Sequence, residues 1–131
     1  MNGFVLDASA ILAYLEDENG KDIVAPALYT GIISAVNITE IVTKLLDRGL
    51  TQKEAEDEII GLLSLGCKVS AFGHDLAILA GQLRPMTKPF GLSLGDRACL
   101  ALGWQLGLPI LTADKQWTKI QMNELTIVSI R

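Results

Sequence analysis

The stretch GFVLDASAIL, residues 3–12, decides the reading of this chain. Phe4, Val5 and Leu6 make a short, wholly apolar run, as in a strand buried on both faces of a sheet. Residues 8–15 are apolar over a helical length, and Asp7 stands at the joint. A carboxylate between two apolar runs is costly to bury unless something pairs with it. An aspartate there can cap the helix, or it can hold a ligand at the end of the strand.

Outward from that unit the same alternation recurs. Strand-like runs lie at 32–36, 67–71, 109–111 and 126–130, most of them continuously apolar. The first helix, 8–15, stops in Glu16-Asp17-Glu18-Asn19-Gly20, with Asn19 or Gly20 as a left-handed terminator. A second covers 21–29 and is broken by Pro26. Residues 38–48 carry Ile38, Ile41, Val42, Leu45 and Leu46 at helical spacing and end at Gly49. Thr51 caps 52–65, whose first turn is acidic. Further helices cover 74–83 and 94–106, separated by a loop with Pro85, Pro89 and Gly91, and a last short one begins near Asp114. Strands alternating with helices, without repeats or linkers, predict one three-layer α/β/α domain over residues 1–131 with a central parallel sheet.

The totals agree with a globular domain. The chain has 131 residues, 50% of them hydrophobic and 20% charged, enough for a core without staples. Cys67 and Cys99 lie in apolar surroundings and read as buried thiols of a reducing compartment, a disulfide being the other option. His74 is the single histidine, and the chain has no Cys/His cluster of the kind zinc uses. No targeting leader and no apolar run of spanning length is present, so a soluble, cytoplasmic protein is expected. A net charge of −4 argues against a broad basic face for nucleic acid.

In α/β sheets ligands bind beyond the carboxyl ends of the strands, and four acids stand there. Asp7 follows the first strand, Glu40 the second (SAVNITEIV, 34–42) and Asp114 the fourth (PILTADKQW, 109–117). Asp96 opens the long helix in LSLGDRACLALG, 92–103. Each has a local explanation. Asp7 is a good N-cap; Asn37 with Glu40, and Ser93 with Asp96, match the cap-x-x-acid box; Asp114 suits a helix dipole. Together, however, they crowd negative charge at one edge, which favours a bound cation. Oxygen ligands without histidine or thiolate point to Mg²⁺ or Mn²⁺, an ion that activates water and neutralises charge on a phosphodiester. Ser9 and Thr112 can donate to a carboxylate or a phosphate, or act as local caps.

In order and spacing, VLDASAIL, SAVNITEIV, LSLGDRACLALG and LTADKQW resemble the acidic motifs of PIN-domain ribonucleases. The likeness runs over essentially the whole chain, and is strongest to the VapC toxins of bacterial and archaeal type II toxin–antitoxin pairs. The resemblance implies a parallel-sheet fold and an endoribonuclease in which Mg²⁺ or Mn²⁺ activates water for in-line attack on RNA. Asp7, Glu40 and Asp96 match its three characteristic acids, Asp114 the more variable fourth, and Ser9 its small hydroxyl position. It also implies a homodimer and a cognate antitoxin whose tail covers the active-site groove. Arg97, Lys115 and Lys88, close to the acids in sequence, are with Thr112 the candidate substrate contacts, in a local track completed by Lys44, Arg48, Arg84 and Lys119.

Other residues read more plainly. The acids at 54–58 form a solvated helix face, His74 and Asp75 start a helix, and Cys99, Trp104 and Trp117 pack. Two alternatives accompany the nuclease. One is a catalytically inactive PIN-like interaction module that keeps its acids as caps. The other is a Mg²⁺-binding receiver-type signalling domain, although the third strand runs into Ala71-Phe72-Gly73 with no phosphorylatable aspartate. A D-x-D phosphatase motif is replaced by Asp7-Ala8-Ser9, and the glycine-rich turn of dinucleotide sites is missing.

Overall fold

Five parallel strands set the frame of a computed structural model that describes residues 3–131. They are β1 (Phe4–Leu6), β2 (Gly31–Ser34), β3 (Lys68–Ser70), β4 (Ile110–Thr112) and β5 (Ile127–Ser129), in the order β3-β2-β1-β4-β5. The helices are α1 (Ala8–Leu15), α2 (Lys21–Ala27), α3 (Ala35–Asp47), α4 (Gln52–Leu65), α5 (His74–Gln82), α6 (Arg84–Thr87) and α7 (Leu94–Leu106). Short 3₁₀ turns cover Leu28–Thr30, Lys88–Phe90 and Lys115–Lys119.

Alternation along the strands divides the interior in two. Leu6, Ile33 and Leu111 enter a core with Ile11 of α1, Val24 of α2, Ile41 and Leu45 of α3 and Leu62 of α4. Val5 and Ile110 enter the opposite core with Leu76 of α5, Leu100 and Leu102 of α7, and Trp117. This is the expected three-layer α/β/α arrangement. The order β3-β2-β1-β4-β5 is not the 2-1-3-4-5 order of a receiver domain, which removes that alternative. Burial on both faces holds for the central strands; β3, at the edge, exposes Lys68 and Val69.

Three local expectations need correction. First, β2 runs into α3 without a loop. Ser34 is the N-cap, its Oγ accepting from the Val36 amide at 3.2 Å, so Asn37 lies inside the helix and is fully buried instead of capping it. Val36 reads as strand by its branched side chain, but a capped, packed helix outranks that weak preference. Second, α1 ends with Asp17 in the left-handed region (φ 58°), while left-handed Gly20 (φ 97°) opens α2. Third, α2 passes through Pro26 and ends one residue later, tightening into a 3₁₀ turn.

The cysteines are both free and buried. Thr51 does cap α4, in a full capping box with Glu54. Among the described residues no helix is long and apolar enough to cross a membrane.

Candidate active site

The strand order reverses between β1 and β4, the place where open α/β sheets form a crevice. Asp7 leaves β1 there, its amide donating to Leu111 O at 2.9 Å. It occupies the N-cap position of α1 but its side chain makes no capping bond. Instead, Asp7 Oδ2 accepts from Ser9 Oγ at 2.5 Å and from Thr112 Oγ1, at the end of β4, at 3.0 Å. Both hydroxyls are themselves fixed: Ser9 Oγ accepts from the Ala113 amide and Thr112 Oγ1 from the Asp114 amide. The carboxylate is thereby pinned to α1 and to the end of β4 at once.

Burial pushes Asp7 up to about 6. The Ser9 and Thr112 hydroxyls oppose that rise, and the charges of Asp96 and Glu40 add to it. Cys99, on α7 in the core behind the acids, is pushed well above the usual thiol range by burial first and then by the same three carboxylates. A thiol so held is inert packing.

Glu40 stands on α3 and leans on α7. Its Oε1 accepts from Asn37 Nδ2 at 2.6 Å, and the same amide donates to Gly95 O at 3.1 Å. Asn37 Oδ1 is buried without a hydrogen-bond partner among the described residues. A Cβ at Gly95 would overlap the Glu40 carboxylate, so glycine leaves the room in which that side chain end rests against α7. Asp96 follows. It completes the expected capping box of α7, its Oδ2 accepting from the Ser93 amide at 2.9 Å while Ser93 Oγ accepts from the Asp96 amide at 3.2 Å.

One arrangement is common to the three acids. Each engages a single oxygen with the protein, and the second, Oδ1 of Asp7, Oε2 of Glu40 and Oδ1 of Asp96, accepts no hydrogen bond from the described residues. All three line one cavity of about 460 Å³, together with Ser9, Lys44, Arg48 and Arg131. Its donors are oxygens, a set suited to a hard divalent ion. Among the described residues no three carboxylates, imidazoles or thiolates close around an ion as they stand. Few direct ligands with water completing the shell is the habit of Mg²⁺.

The remaining sequence candidates fall outside that cavity. Asp114 is exposed, and its Oδ1 accepts from the Gln116 amide at 2.9 Å, capping the 3₁₀ turn. Arg97 sends Nη1 to Ala80 O at 3.1 Å, towards α5. Lys88 and Lys115 are exposed and absent from the lining. Three residues of the site do more than the sequence assigns them. Asn37 reads as a cap, although its spacing from Glu40 equally fits a side-chain bond within a helix. Lys44, placed only in the basic track, lies four residues after Glu40 and therefore on the same helix face. Arg131 leaves no local signal.

A family model, the PIN domain, matches residues 4–122. The chain belongs to the PIN-domain family. Solved structures similar to this PIN domain include VapBC2 of Rickettsia felis bound to a DNA fragment from its promoter (TM-score 0.74, 14% identity, 98% of each chain covered). DNA-bound VapBC of Salmonella typhimurium aligns at TM-score 0.74 and 18% identity, with 100% of each chain covered. FitAcB of Neisseria gonorrhoeae aligns at TM-score 0.69 and 18% identity, with 97% of each covered. At such identities the likeness is one of fold. No curated protein sequence matches the chain.

Proposed function

We propose that this PIN domain is a metal-dependent endoribonuclease, the toxin of a toxin–antitoxin pair, acting in the cytoplasm as a single-domain chain that forms homodimers. The observation that carries the reading is the cavity itself: three acids from distant parts of the sequence, each with one oxygen fastened and one presented. The structures it resembles include toxin–antitoxin complexes, which supports a cognate antitoxin as partner.

Asp7, Glu40 and Asp96 would hold Mg²⁺ or Mn²⁺. Bound there, the ion would supply a water of lowered pKa and neutralise charge on the phosphodiester. The protein's own part is positioning. Ser9 and Thr112 fix the plane of the Asp7 carboxylate, and Asn37 holds Glu40 against α7. Ser93 holds Asp96 at the N-terminus of α7. Asp114 stands outside this set, capping the 3₁₀ turn at Lys115–Lys119.

Purified protein is expected to cleave RNA with Mg²⁺ or Mn²⁺ and to stop with EDTA or with Asp96→Asn. Undiminished cleavage by both Asp7→Asn and Asp96→Asn would sink the reading. A small upstream open reading frame is expected to encode a DNA-binding protein that copurifies with this chain on co-expression. The capping box at Asp96 favours one second reading, an inactive interaction module whose acids are structural. On that reading metal-free Asp7→Asn and Asp96→Asn proteins lose stability, whereas relief of crowded charge raises it.

A further inference from the structure

The acid cavity has a second, basic side. Lys44, Arg48 and Arg131 line it together with the carboxylates, in a chain whose net charge is −4. Glu40 and Lys44 of α3 and Arg48, its C-cap, recur every fourth residue, so they follow one face, with about 6 Å of rise for each helical step. That spacing is comparable to the distance between successive phosphates of an extended strand. An acid and two cations thus follow one another along one helix and its C-cap.

The loop between α1 and α2 sets the rest. Glu16 pairs with Arg48. Glu18 pairs with Arg131 at 3.2 Å, and Asn19 O accepts from Arg131 Nε at 3.1 Å. Gly20 makes the seat possible: a Cβ there would meet Ile130 O at 2.6 Å, so only glycine lets the loop lie against the residue before Arg131. The two pairs differ in exposure. The Glu16 side chain is 19% exposed, an anchor for Arg48. Glu18 is 43% exposed and, like Arg131, faces the cavity, and an ion pair of this kind contributes little and exchanges readily. Lys44 has no acidic partner among the described residues.

We propose that Lys44, Arg48 and Arg131 form a phosphate-binding wall that receives the backbone of one RNA strand beside the scissile bond. Glu18 occupies Arg131 in the free protein and yields it as the strand enters. The strand runs from the acids along α3 towards Arg48. The proposal rests on the ribonuclease reading above and names the residues that hold its substrate.

The test is the affinity of a fluorescein-labelled single-stranded RNA, measured by anisotropy in EDTA so that binding is separated from cleavage. Lys44→Ala and Arg131→Ala should each weaken binding several-fold and reduce the slope of log affinity on log salt by about 0.7 for each phosphate no longer neutralised. Glu18→Gln should tighten binding, and Lys68→Ala, on the remote edge strand, should match wild type. Wild-type affinity and salt slope in both Lys44→Ala and Arg131→Ala overturn the wall. The two ideas fail separately. Cation-dependent binding without cleavage in Mg²⁺ supports the wall and sinks the nuclease, whereas cleavage with unaltered binding by the variants sinks the wall alone.

Discussion

Asp7 carries a penalty that two hydroxyls only partly offset. Its folded pKa of about 6 lies above the ordinary 3.8, so its contribution to stability is complete below pH 3.8 and is lost as pH rises through 6. Metal-free protein should therefore lose up to about 3 kcal/mol of stability over that window. Denaturant midpoints measured against pH in EDTA should show the decline in wild type and its absence in Asp7→Asn. Gly95 offers a different test. Alanine there meets only the end of the Glu40 side chain, which can swing aside. Gly95→Ala should leave the melting temperature nearly unchanged while Mn²⁺ binding, followed by calorimetry, falls.

Two helices in this molecule begin with complete capping boxes, and comparing them separates scaffold from site. Thr51 and Glu54 cap α4 far from the acids, whereas Ser93 and Asp96 cap α7 at the cavity. Thr51→Ala and Ser93→Ala should each cost about 1 kcal/mol in thermal or denaturant unfolding. Only Ser93→Ala should also change metal affinity, because only there does the cap hold a proposed ligand. The Ser93 box is readable from sequence because capping is local. The box expected at Asn37 fails for the complementary reason. Asn37 and Glu40 have the spacing of a cap and its acid, but Ser34, three residues earlier, is a rival cap, and the packing of Asn37 on α7 that excludes the later start is not visible in the local sequence.

For the whole molecule, three-residue apolar runs suffice to place the central strands, since β1, β2 and β4 are buried from both sides. The acids at their ends are legible for the same reason. Arg131 reaches the cavity only because β5 pairs with β4 and delivers it to a loop 112 residues earlier in the chain, which no local pattern announces. If the cavity holds a divalent ion, Mn²⁺ at 100 times its Kd should stabilise the native state by about 2.7 kcal/mol. Thermal scans should show this in wild type at neutral pH and not in Asp96→Asn.

The bond from Thr112 to Asp7 spans 105 residues. At translation rates of about 5–20 residues per second, roughly 5–20 s separate the synthesis of its two ends. Until β4 has emerged, Asp7 has one neighbouring strand and no fixed orientation, and the crevice has one wall. The order of strands therefore acts as a delay. A growing chain that has not yet made β4 carries Asp7 without the second wall of its crevice, and the proposed metal site is completed only once that strand has joined β1.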